Sequence, residues 1–66
     1  MQIHLNGHAQ ELSDTPTVAE FLERNGYAGR RVAVEINQAI VPRSAHATLT
    51  LADGDRIEIV QAIGGG

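Results

Sequence analysis

The residues best placed to do chemistry in this chain are its last, Gly64-Gly65-Gly66, which follow Ile63. Glycines have no side chain to pack into a core and lose the most backbone entropy when ordered, so a fold gains nothing from a run of them. Extended at up to about 3.6 Å per residue, they would carry a carboxylate at Gly66 roughly 10 Å past the last packed side chain, into a slot too narrow for any side chain. Such a carboxylate is a substrate group rather than a catalytic one. Ionised, it repels nucleophiles and must be activated before one can attack it. On the tail alone, a frayed terminus accounts for the same glycines, because chain ends are commonly disordered.

The other side chains offer little competing chemistry. Cysteine is absent, which excludes a disulfide framework, a thiolate zinc site and a cysteine nucleophile. All five cationic side chains are arginines, so no lysine amine is available as a Schiff-base former, a catalytic base or an acceptor for self-conjugation. His4 and His8 have no third ligand near them in sequence and read as solvated strand histidines, and His46 reads as surface or half-buried packing. Asp53-Gly54-Asp55 has the composition of a tight turn and lacks the many oxygen ligands that a calcium site needs. No bound cofactor or metal is expected. With no nucleophile and base at workable spacing, the chain is expected not to be an enzyme.

At 66 residues the chain has the size of one domain, for which only about 60% of the unfolded surface is buried and a large internal active-site cavity is excluded. A formal charge of -3 argues against nucleic acid as a partner. No apolar run approaches the roughly 20 residues that span a bilayer, and the first residues lack a signal-peptide pattern. A cytoplasmic protein, monomeric when free and without a membrane partner, is expected.

A tail of this kind needs a rigid platform, and the hydrophobic periodicities supply one. Met1 to Leu5 alternates with period two, placing Ile3 and Leu5 inward, and Asn6-Gly7 is a strong type I′ hairpin signal. The return strand, His8 to Leu12, is weakly patterned, with Leu12 as its core residue. After a polar connection at Ser13 to Pro16, Thr17-Val18-Ala19-Glu20 has the spacing of a capping box. Val18, Phe21 and Leu22 form one apolar stripe on the helix that follows. Asn25-Gly26 ends it, with Tyr27 placed for a Schellman contact with Leu22. Arg31 to Asn37 is a strand with Val32, Val34 and Ile36 on one face. Asn37-Gln38 turns the chain into a short strand, Ala39-Ile40-Val41, stopped by Pro42. A single helical turn is expected over Ser44 to Ala47, and Leu49 and Leu51 are spaced to enter the core. Arg56 to Ile63 is the last strand, with Ile57 and Ile59 inward and Glu58, Val60 and Ala62 outward.

One helix among strands in this order predicts an α+β fold, the β-grasp or ubiquitin-like layout, with a mixed sheet of four to five strands and the helix packed on one face. Residues 1–63 form the domain and 64–66 a flexible tail. In that layout the first and last strands lie parallel in the middle of the sheet, which anchors the tail at a rigid point. Ala33 should share the outward face with Val60 and Ala62, making a small apolar patch beside the tail, flanked by Glu35 and Glu58. Placement beside the tail marks this patch as the expected partner-binding face, although scattered apolar residues are ordinary on any surface.

The chain resembles the ThiS family, the sulfur carrier proteins of thiamine biosynthesis. The resemblance covers essentially the whole chain and is carried by Met1-Gln2-Ile3 with Asn6-Gly7, Thr17-Val18 with Phe21-Leu22, and Val34-Glu35-Ile36-Asn37 with Ile40-Val41-Pro42-Arg43. Its most specific stretch is Asp53-Gly54-Asp55-Arg56-Ile57-Glu58-Ile59-Val60 running into Gly64-Gly65-Gly66. His46 is a departure, standing where an aromatic residue is common in relatives. The resemblance implies that a ThiF-type enzyme uses ATP and magnesium to adenylate the Gly66 carboxylate. Sulfur relayed from a cysteine desulfurase as a persulfide then displaces AMP, and the resulting thiocarboxylate donates sulfur to a ThiG-type thiazole synthase. The small subunit of molybdopterin synthase shares this fold and tail chemistry, and a ubiquitin-like protein modifier, or a structural module with an inert tail, is the alternative from a different class.

Overall fold

A computed structural model describes residues 1–61. The elements are β1 (Gln2–Leu5), β2 (His8–Glu11), α1 (Val18–Arg24), β3 (Val32–Ile36), β4 (Ala39–Val41), a short 3-10 turn (Arg43–Ala45) and β5 (Arg56–Gln61). The expected boundary between domain and tail, together with the placements of Ala62 and of Gly64 to Gly66, lies outside the described residues.

The helix starts where its capping box predicts. The Thr17 hydroxyl accepts from the Glu20 amide at 3.1 Å, and the Glu20 carboxylate accepts from the Thr17 amide at 2.8 Å. These two bonds satisfy donors that a helix start otherwise leaves orphaned. The Thr17 backbone and hydroxyl bonds hold the Glu20 carboxyl below its ordinary pKa. Further first-turn amides find partners far along the chain, Val18 N–H donating to the Leu49 carbonyl at 2.9 Å and Ala19 N–H to that of His46 at 2.7 Å. At the other end Gly26 has φ of +82°, and the Tyr27 and Gly26 amides donate to the carbonyls of Leu22 and Glu23, completing the Schellman motif.

All five strands form one sheet in the order β2-β1-β5-β3-β4. β5 lies parallel to β1 and antiparallel to β3, so the last described strand is central and held on both sides. Ile3, Val34, Ile57 and Ile59 face α1 and bury against Val18, Phe21 and Leu22, joined by Val41 and Leu51. Leu5, Leu12, Tyr27, Val32 and Ile36 pack around this core, half-buried.

Three expectations need correction. Leu49 is 42% exposed and outside the core, because it follows the turn at residues 46–48 and lies in no strand, where the period-two argument that placed it does not hold. The helical turn is a 3-10 turn at Arg43–Ala45, entered through Pro42, whose fixed φ of −66° suits that start. His4 is half-buried rather than solvated, and its Nδ1 is buried with no hydrogen-bond partner among the described residues. The connection before α1 is also less polar than it reads. Pro16 is fully buried, and its carbonyl accepts from Leu51 N–H at 2.9 Å.

Candidate functional site

The candidate site is built on β5, the strand that leads towards the glycines, and two asparagines fix that strand from opposite sides. Asn6, in the β1–β2 turn with φ of +49°, donates its amide N–H to the Ile57 carbonyl at 2.9 Å. Its side-chain oxygen accepts from Ile59 N–H at 2.9 Å, continuing the pairing of β5 beyond the end of β1. Asn37, in the β3–β4 turn with φ of +52°, exchanges both bonds with Arg56, its N–H donating at 2.8 Å and its Oδ1 accepting at 3.0 Å. Asparagine serves in both places because it tolerates the left-handed region while offering a side-chain amide.

The turn before β5 is held the same way. Asp53 Oδ1 accepts from Gln2 N–H, and Asp55 Oδ2 from Ala52 N–H, each at 2.8 Å. Both carboxylates are thus occupied with backbone amides, as a turn requires. Among the described residues no group of three or more metal-ligating side chains is assembled.

On the face away from α1, the register places Ala33 opposite Val60 and Glu35 opposite Glu58. Val60 is 61% exposed, and Ala33 and Glu58 are exposed too, while Glu35 is half-buried. Ala33, Glu35, Glu58 and Val60, the described members of the expected outward set, are therefore brought together on adjacent central strands, while Ala62 lies outside the described residues. One member was missed. Ile40, opposite Glu35 on β4, is 77% exposed and extends the apolar surface across a third strand. Its signal was available in the sequence, since Val41 turns inward and alternation then sends Ile40 outward. The patch is thus two apolar flanks, Ala33 with Val60 on one side and Ile40 on the other, around a pair of carboxylates. It offers a partner an apolar grip with an acidic centre.

A mixed sheet with a central parallel β1·β5 pair, crossed on one face by a single helix, defines a β-grasp, ubiquitin-like protein. The crystal structure of thiamine biosynthesis protein ThiS from Geobacter metallireducens superposes with a TM-score of 0.85 at 30% identity, covering all of both chains. The sequence model of the ThiS family matches residues 3–66. Sulfur carrier protein ThiS of Escherichia coli is 41% identical over 66 residues, the full length of each chain. The chain belongs to the ThiS family. It is also similar to a thiazole synthase of Paramagnetospirillum magneticum, 44% identical over all 66 residues here. The chain spans 20% of that protein's length.

Proposed function

We propose that the chain is a sulfur carrier of thiamine biosynthesis and that the α-carboxylate of Gly66 is its working group. The observation that carries this reading is the end-to-end similarity to a sulfur carrier protein, at 41% identity with neither chain overhanging. Absence of cysteine and lysine fits it, because no side chain competes for the sulfur or traps an activated acyl group.

In this reading a ThiF-type enzyme, using ATP and magnesium, joins the carboxylate to AMP and releases pyrophosphate. Hydrosulfide then attacks the acyl carbon, AMP leaves with the C–O bonding electrons, and a thiocarboxylate remains. With a persulfide as nucleophile, the acyl disulfide first formed is cleaved by a thiol, which departs in a disulfide with the donor cysteine. Gly64 and Gly65 let the backbone pass through a slot that admits no Cβ. The similarity to a thiazole synthase supports a ThiG-type enzyme as acceptor of the sulfur, and a cysteine desulfurase supplies it indirectly. The chain is a carrier and co-substrate rather than an enzyme, acting in the cytoplasm. The open sheet face, with Ala33, Val60 and Glu58, is where these enzymes grip it, and Ala62, expected to join them, lies outside the described residues. Among the described residues no helix is long and apolar enough to cross a membrane.

The test is the intact mass after incubation with a ThiF-type enzyme, ATP, magnesium and sulfide. A gain equal to one sulfur-for-oxygen exchange at Gly66 is expected. An isopeptide adduct on another protein would instead identify a modifier, and an unchanged mass would leave the tail inert. Gly65→Val should block the exchange, because a β-branched side chain both widens and stiffens the tail.

A further inference from the structure

Three of the five arginines, Arg30, Arg31 and Arg43, line one groove of about 580 Å³ on the side of the molecule away from the acidic sheet face. It lies between the loop after α1, the start of β3 and the 3-10 turn. Leu22, Tyr27 and Val32 contribute its apolar surface, the first buried and the other two half-buried. The loop is held in shape: Arg30 N–H donates to the Tyr27 carbonyl at 3.0 Å, across Gly29 with φ of +75°. Arg24 is neutralised elsewhere by Asp14 at 2.6 Å. Arg30 and Arg43 are exposed and make no ion pair among the described residues. Glu23 and His46 complete the rim, so Arg30 and Arg43 alone outnumber its one carboxylate on a chain whose net charge is -3.

We propose that this groove docks an acidic peptide segment of a partner protein, with carboxylates on the Arg30 and Arg43 guanidiniums and an apolar side chain on the Leu22, Tyr27 and Val32 surface. Guanidinium matches a carboxylate through two parallel N–H donors, and an apolar floor is of no use to a free anion. A nucleic acid fits less well, because its extended phosphate track would meet the repulsion of the acidic residues outside the groove. Val32 pairs with Gln61, so the groove stands at the end of the sheet where the described part of β5 finishes.

The experiment is a two-dimensional NMR titration of the labelled chain with a blocked peptide of alternating glutamate and leucine, the same peptide with glutamine for glutamate, inorganic phosphate, and a short single-stranded oligonucleotide. The acidic peptide should shift resonances of residues 28–32 and 43–46 and bind about tenfold or more tightly than its glutamine counterpart. Arg30→Glu combined with Arg43→Glu should abolish those shifts while the circular dichroism stays unchanged, both positions being exposed. Arg30→Gln with Arg43→Gln, a milder pair, should weaken them. Equal binding of the glutamine peptide, shifts centred on Val60 instead, or phosphate or oligonucleotide matching the acidic peptide would overturn the proposal. The titration involves no sulfur chemistry, so its outcome is independent of the carrier reading.

Discussion

Ala33 and Val60 stand directly opposite each other on β3 and β5, on the sheet face that α1 leaves open. An exposed apolar pair at the centre of a sheet contributes little to the fold, where polar residues would serve as well, and is available to a partner. Val60→Asp should therefore keep its circular dichroism spectrum, costing at most about 1 kcal/mol in β-propensity. Binding to the adenylating enzyme or the thiazole synthase should weaken by about a kilocalorie or more, measured by titration calorimetry. Undiminished affinity for both enzymes would exclude this face.

Glu35 and Glu58, the next outward pair on the same two strands, are like charges directly opposite one another. Such pairs are destabilising, with cross-strand effects of about 0.2–1 kcal/mol. Glu58→Gln should accordingly raise the melting temperature, and added salt should narrow the gap by screening the repulsion in the native protein. A lower melting temperature for the variant at every salt concentration would show that the two carboxylates are not in conflict.

The Asn6 side chain can be tested apart from its backbone conformation. Glycine adopts the same positive φ without strain, so Asn6→Gly removes only the acceptor of Ile59 N–H. Loss of a partner at this partly buried amide should cost about 1–3 kcal/mol in urea unfolding. Asn37→Gly should cost less, because the Arg56 amide it leaves behind is exposed to water. Equal losses at the two sites would contradict this ranking.

Phe21 and Ile59 belong to one core cluster, from helix and central strand, at 1% and 7% exposure. Truncating either to alanine should cost about 2–5 kcal/mol through lost transfer energy and the cavity left behind. In a domain of this size that is enough to unfold it. Thermal unfolding indistinguishable from the wild type would mean that the site collapses freely.

The capping box predicts a pH dependence. Glu20 has its carboxyl lowered from an ordinary value of 4.5 by the Thr17 hydrogen bonds. Its folded-state pKa thus lies below the unfolded one, so its contribution is fully present above the unfolded value and is lost as pH falls through the folded value. Asp14, lowered from 3.8 by the Arg24 hydrogen bond, adds in the same direction at slightly lower pH. Glu20→Gln should flatten the acid side of the stability profile below about pH 4.5 and change little at neutral pH beyond a constant offset. An acid limb identical to the wild type's would assign that pH dependence elsewhere.

Features that depend on neighbours in the chain were legible in the sequence. Thr17 with Glu20 and Gly26 with Tyr27 satisfy backbone groups within a few residues, and Asn6-Gly7 adopts the positive φ of its turn locally, so these features can be read without knowing the fold. The alternation of β5 likewise separates Ile57 and Ile59 from Glu58 and Val60, because one face is buried and a slip of one residue would reverse it. What required the tertiary structure was everything set by distant pairing. Only the register places Ile40 beside Glu35 and Glu35 against Glu58, and only the approach of the loop at residues 46–49 to the start of α1 exposes Leu49 while using its carbonyl. His4 lost its expected solvation for the same reason: β5 lies beside it, with Arg56 as its direct neighbour, and a strand read alone cannot show what covers it. The arginine groove gathers Arg30, Arg31 and Arg43 from two separated stretches, and charges that meet only through folding leave no periodic trace in the chain.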